Sequence, residues 1–290
     1  MDKLYILGAG TPTPTESRFG SAYVLDIDGE KVMFDCGPAA THKLVKSGLW
    51  PTEIDHLFFT HHHFDHDIDY PCFLLCRWDQ SIGKENTLNV FGPKLTEKLT
   101  EEIYGNDGAF SHDWKARINH PLSQKVYQNR GGILPRTPPK ANARDIKPGT
   151  VKVSKKWEVV SDVAEHVQPY LDSLAYRLET SKNKSIVFTG DTQPCKSVVD
   201  LSKNADYLIC MCWDDQEAMN QNGEFFGQCG TEGAAQMAQD AGVKNLVLVH
   251  MGPNISQENN KITAKEKISK IYNGNIIFSD EIQSIDLWSK

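Results

Sequence analysis

The chain has 290 residues, 39% of them hydrophobic and 24% charged, with a formal net charge of -7 at pH 7. That length suffices for one large domain or two ordinary ones with a sizeable core, and no apolar run is long enough to cross a bilayer. The acidity argues against a general nucleic-acid binder, because phosphate backbones reward a basic face. Seven cysteines, mostly in apolar segments and with no signal or transit peptide ahead of them, read as reduced core thiols of a cytoplasmic protein without a membrane partner.

Residues 3–7 open a strand, and Gly8-Ala9-Gly10-Thr11-Pro12 beyond it is a loop that lacks the lysine and spacing of a phosphate loop. Asp28-Gly29 is a two-residue turn signature, so residues 21–27 and 30–35 predict a β-hairpin that ends at Asp35. Helical spacing over 39–49 stops around Gly48, with Pro51 just beyond. Leu57-Phe58-Phe59 then reads as a buried strand, followed at once by His61, His62, His63, Asp65 and His66, five metal-competent side chains within six residues. On a turn leaving a strand, His61 and His63 point the same way while Asp65 and His66 swing to a neighbouring position, so two metals fit side by side. His62, between two expected ligands, should face away from them.

A helix over 67–79, a strand over 87–91 and a helix over 93–103 continue the alternation, after which regularity fails for almost fifty residues. Segment 103–150 carries eight basic against three acidic residues, about +5 on a remainder of about -12, so a positive insert sits on a negative body as a substrate lid or a dimer contact. Strands return at 157–165, ending at His166, at 175–179, and at 185–189, ending at Gly190-Asp191-Thr192. A strand at 206–212, a helix at 231–241 closed by Gly242, and a strand at 245–249 running into His250 make a second β/α half. Strands at 275–278 and 282–288 are expected to complete the sheet of that half.

Asp35, the histidine-rich turn, His166, Asp191 and His250 all fall at expected strand ends, and their order closely resembles the metallo-β-lactamase superfamily over nearly the whole chain. Its His-x-His-x-Asp-His turn, single later His, lone bridging Asp and final His match His61, His63, Asp65, His66, His166, Asp191 and His250. The resemblance implies an α/β fold, a single-domain αββα four-layer sandwich, with His61, His63 and His166 on one metal and Asp65, His66 and His250 on the other. Asp191 would bridge them, Asp35 would orient a ligand from behind, and Asp65 would also position the nucleophile. Such donors suit two Zn2+ per chain, with Mn2+ or Fe2+ as alternatives, and an activated water for hydrolysis.

Leu7-Gly8-Ala9-Gly10-Thr11-Pro12, Phe34-Asp35-Cys36-Gly37, Tyr176-Arg177 and residues 234–248 are similar to the ribonuclease Z and arylsulfatase-type branch, in which dimers are frequent. Two departures stand out. Cys210-Met211-Cys212-Trp213 replaces a His-Glu-Ala-Thr run of that ribonuclease, and Cys229 stands where relatives carry a histidine two residues before Thr231. The glycine-proline arm that grips tRNA is also missing from 129–139. The expectation is therefore a hydrolase of a small anionic ester, a phosphodiester or sulfate ester, with a lactone or other carboxylic ester as the alternative and nucleic acid not the expected partner. A tRNA endonuclease, a mononuclear iron persulfide dioxygenase and a non-catalytic metal-binding module rank behind it. Trp213, Asp214 and Cys229 are expected to line the pocket, and Trp114 and Arg130, with Tyr104, Phe110 and Tyr127, to form a lid.

Overall fold

A computed structural model describes residues 2–82 and 87–288. The first half begins with three antiparallel strands, β1 (Lys3–Ala9), β2 (Ser21–Ile27) and β3 (Glu30–Phe34). The turn between β2 and β3 places Asp28 at φ 49° and Gly29 at φ 82°. Both central residues are thus left-handed, the twist that a two-residue hairpin needs. β4 (Ile54–Phe58), β5 (Leu88–Gly92) and β6 (Ala141–Asp145) then add in parallel. Parallel neighbours require crossovers. These are α1 (Ala40–Lys46), then α2 (Phe64–Asp67) with α3 (Tyr70–Gln80), and then α4 (Thr96–Tyr104), α5 (Ser111–Asn119) and α6 (Pro121–Asn129).

The second half mirrors this. β7 (Gly149–Val153), β8 (Trp157–Val163), β9 (Leu174–Thr180) and β10 (Ser185–Phe188) are antiparallel, and β11 (Tyr207–Met211), β12 (Asn245–Val249) and β13 (Asn275–Phe278) continue in parallel. Their crossovers are α7 (Lys196–Leu201), α8 (Gln216–Asn222) with α9 (Thr231–Ala241), and α10 (Glu258–Ile268). The last strand, β14 (Gln283–Asp286), corrects the sequence-based expectation: it pairs with β1 in the first sheet rather than completing the second. The Leu287 N–H to the Asp2 carbonyl (2.9 Å) ties it there.

The expected four-layer αββα sandwich is the observed one. Between the sheets lies an aromatic stack in which Phe34 meets Phe188 at 4.1 Å, Phe58 at 5.2 Å and Tyr176 at 5.9 Å between ring centroids. Outside the first sheet, Leu44, Phe73 and Leu74 from α1 and α3 cover Val24, Met33 and Leu57. Outside the second, Ala234, Ala235 and Ala238 let α9 approach Leu208 and Leu246 closely. The segment expected to lack regular structure instead carries α5, α6 and β6. α6 buries none of its residues and β6 is an edge strand, so neither presents the apolar periodicity by which an element is read from sequence. Among the described residues, no helix is long and apolar enough to cross a membrane.

Candidate metal centre

Strands β3, β4, β8, β10 and β12 all end at one rim, and the next few residues of each deliver Asp35, His61, His166, Asp191 and His250. Open sheets of this kind bind ligands beyond the carboxyl ends of their strands. Two of these residues are left-handed without being glycine, Asp35 at φ 57° and His250 at φ 51°. Such conformations cost about 1–2 kcal/mol each and persist only where the surroundings over-determine them. At Asp35 the N–H bonds the Phe58 carbonyl (2.9 Å) and the carboxylate accepts from Thr60 twice. Gly190 allows the two halves to close: at φ 58°, a Cβ there would lie 2.6 Å from Thr60 Cβ.

Two groups of side chains meet at this rim, His61, His63, His166 and Asp191 in one and Asp65, His66 and His250 in the other. His63 Nδ1 lies 3.0 Å from His61 Nε2 and 3.2 Å from His166 Nε2. Asp65 Oδ2 lies 3.1 Å from His250 Nε2 and 3.5 Å from His66 Nε2. Asp191 faces both groups, with Oδ1 3.4 Å from His66 Nε2 and Oδ2 3.3 Å from His250 Nε2, 3.9 Å from His166 Nε2 and 4.0 Å from His61 Nε2. Asp65 and His66 ride on α2, a single helical turn directly after the strand.

The hydrogen bonds behind these rings decide which nitrogen faces inward. Thr60 Oγ1 donates to Asp35 Oδ2 (2.8 Å), so it accepts from His61 Nδ1–H (3.1 Å). His66 Nδ1–H donates to Asp35 Oδ2 (2.7 Å), and His166 Nδ1–H donates to the Gly227 carbonyl (2.6 Å). With Nδ1 protonated in all three, each Nε2 presents a lone pair to the rim. Thr60 and Gly227 were not singled out from sequence. Thr60 adjoins the histidine turn and was legible in principle, whereas Gly227 is tied to His166 only through the fold.

These donors fit cations. His63 Nδ1 lies within 3.2 Å of the inward-facing Nε2 atoms of both His61 and His166, an electron-rich set that a cation among them stabilises. Asp65 Oδ1, Asp191 Oδ1 and His66 Nε2 are buried without a hydrogen-bond partner, a costly state that a metal bond relieves. Burial, reinforced by His66, holds the His61 imidazole well below its ordinary pKa and so in the neutral form a metal requires. Burial opposes charge on Asp191 too, but His250 and His66 outweigh it and keep the carboxyl well below the usual range.

The other expected residues lie elsewhere. His62 turns away, bonding Thr96 Oγ1 (2.8 Å) and Asp67 Oδ2 (3.2 Å). Trp213 stays beside the rim, its ring 6.2 Å from that of His250, while Asp214 Oδ1 accepts from Asn254 (2.8 Å). Two positions need correction, while Arg130 keeps the exposed place on the insert expected of it. Cys229 is fully buried in the apolar cluster beneath α9, with no surface to offer a substrate. Trp114 is buried and donates its Nε1–H to the Tyr104 carbonyl (2.8 Å), which makes it an anchor of the insert rather than a lid surface. Arg130 pairs with Asp79 at the end of α3 (3.1 Å).

The family described as Beta-lactamase superfamily domain matches residues 116–251, and the family described as Anti-Pycsar protein Apyc1 matches residues 2–68. Ribonuclease BN of Enterobacter sp. (strain 638) is 27% identical, across 91% of this chain and 93% of its own length. Ribonuclease Z of Methanothermobacter thermautotrophicus is 26% identical, across 87% of each. Among solved structures, the metallo-beta-lactamase fold protein YhfI from Bacillus subtilis superposes with a TM-score of 0.75 at 20% identity, covering 98% of both chains. Relatives named as ribonucleases over so much of the chain overturn two expectations, the small anionic ester as substrate and the setting aside of nucleic acid as a partner. The error was physical: RNA responds to the local field, and a net charge of -7 conceals a basic insert. The domain match, the ribonuclease relatives and the metallo-beta-lactamase fold together support membership of the metallo-β-lactamase superfamily, as a metal-dependent hydrolase.

Proposed function

We propose that the protein is a zinc-dependent endoribonuclease whose substrate class is precursor tRNA. The observation that carries this reading is the run of ribonuclease relatives over nearly the whole chain, joined to a rim where five imidazoles and two carboxylates converge. In this reading His61, His63 and His166 would hold one ion and Asp65, His66 and His250 the other, with Asp191, which faces both groups, available to each. Imidazole and carboxylate donors favour zinc. When bound, the two ions supply Lewis-acid charge for hydrolysis of a phosphodiester.

The chain's own residues do the rest. His63 is part-exposed while the side chains of His166, Asp65, His66 and His250 are buried, so the RNA phosphate enters from the side of His63. Asp65 Oδ1, buried and without a hydrogen-bond partner, takes the proton of an attacking water. Asp35 holds His66 through Nδ1. Exposed Lys125, Lys140, Arg144 and Lys147 in segment 103–150 give the local positive field that a polyanion needs. Cys229 does not replace the histidine that relatives carry, because hydrogen bonding with Cys210, together with burial, pushes its thiol far above its ordinary range.

The test is incubation of the zinc-loaded chain with a precursor tRNA bearing a 3′ trailer, with products sized on a gel. A single cut that releases the trailer, absent from Asp191→Ala, is expected. Failure of the metal-replete chain to cut any structured RNA would end this reading.

A further inference from the structure

The loop between α8 and α9 has two faces. Inward, the Gly227 carbonyl takes His166 Nδ1–H (2.6 Å), and the Gly227 N–H donates to Gln193 Oε1 (3.0 Å), two residues beyond Asp191. Gly227 adopts φ 71°, and a Cβ there would lie 2.2 Å from the His166 carbonyl oxygen, so the loop is pressed directly against the rim. Outward, Phe225 and Phe226 stand 39% and 78% exposed, their rings 4.4 Å apart and tilted by 37°. Adjacent large aromatic rings left in water mark a surface that binds something.

These rings edge a cleft of about 310 Å³ that Gln193, Gln216, Asn220 and Gln228 also line. No charged side chain lines it, so it does not suit a phosphate or a charged peptide. Carboxamides donate and accept in one plane; Gln193 is tied at both ends to Gly227 and Glu165 (2.9 Å), Gln216 donates to Asn220 Oδ1 (3.2 Å), and Gln228 Oε1 is buried without a hydrogen-bond partner. A flat aromatic face beside neutral donors and acceptors is the chemistry that receives a nucleobase, which stacks on its ring and bonds along its edge. Gln193 and Gln228 sit within two residues of Asp191 and of the carbonyl that orients His166, so the cleft adjoins the metal rim.

We infer that the Phe225–Phe226 cleft is a subsite for one unpaired nucleobase next to the scissile phosphodiester. This deepens the ribonuclease reading and rests on it. The base stacks on Phe226, and the side-chain amides of Asn220 and Gln228 bond its edge, so the flanking nucleotide positions the bond to be cut.

The experiment compares Phe226→Ala, Phe226→Trp and the parent chain, all zinc-loaded, on an RNA substrate and on versions with a single abasic ribose at each nucleotide flanking the cut. Phe226→Ala should lower kcat/KM on intact RNA by roughly 5- to 100-fold, the range of one base–aromatic stack. Phe226→Trp should restore it. One abasic position should reproduce the loss in the parent chain, and on that substrate Phe226→Ala should cost nothing more. Equal losses on intact and all abasic substrates would overturn the subsite. If the chain cuts no RNA, calorimetry with adenosine 5′-monophosphate and ribose 5-phosphate separates the two ideas. Tighter binding of the nucleotide that vanishes in Phe226→Ala upholds the subsite without the ribonuclease, whereas equal binding of both ligands by the parent chain refutes it.

Discussion

At the metal rim His61, Asp65, His66, Asp191 and His250 are buried, and the outer nitrogens of His61, His66 and His166 are each held by a named oxygen. In the helical insert α6 buries nothing, and Leu122 and Ile133 are 72% and 84% exposed. What anchors the insert is narrow: Trp114 on the Tyr104 carbonyl, and Arg136, whose guanidinium lies 3.8 Å from the Trp78 ring centroid and 4.8 Å from that of Tyr127 while bonding Asp79 at 3.0 Å. The rim is over-determined by strand ends that cannot shift independently, whereas α5 and α6 of the insert are held chiefly by side chains, including Arg117 and Arg130 on Asp79. Chemistry that demands sub-ångström placement sits on the first, and a charged surface that tolerates motion sits on the second.

Substitutions can break this contrast in order of expected size. Asp191→Ala removes the one carboxylate that faces both groups, so metal content and turnover should fall together by more than the roughly 10- to 100-fold typical of an outer partner. Metal analysis beside single-turnover cleavage checks this, and full retention of both metals would refute the bridging role. Trp114→Ala should cost about 3 kcal/mol by denaturant unfolding, since it empties a buried aromatic site, yet leave zinc content unchanged. A loss of metal in that variant would show that insert and rim are mechanically one unit.

Smaller effects sharpen the same boundary. Asp35→Asn keeps the size of the side chain but weakens its hold on His66 Nδ1–H, and should lower metal affinity roughly 10- to 100-fold in a competition titration with a chelator. Arg130→Ala breaks an exposed pair with Asp79 and should change stability by less than about 1 kcal/mol. Its mark should instead be on RNA binding, as a decrease of about one in the slope of log affinity against log salt. An unchanged slope would move the RNA path away from Arg130.

Much of the rim was legible because it is built from local contrasts. Leu57-Phe58-Phe59 turning into His61, His63, Asp65 and His66 is a buried strand meeting a polar turn, and Asp191 and His250 follow equally apolar strands. The insert was not legible, because α6 has no buried face and the start signal of Pro121 is weak without one. Charge misled for a related reason: composition sums over the whole surface, while a phosphate feels only what lies within about a Debye length.

By itself the sequence determined the strands other than β6 and β7, the hairpin turn at Asp28-Gly29 and the identity of the residues that meet at the rim, since these follow from hydrophobic period, turn chemistry and side-chain type. Tertiary structure alone decided that β14 returns to pair with β1, that Cys229 is sealed in the core, and that Gly227 fixes the ring of His166 from 61 residues away. Those outcomes depend on which surfaces pack together, a global competition for burial and hydrogen bonds that no local pattern encodes.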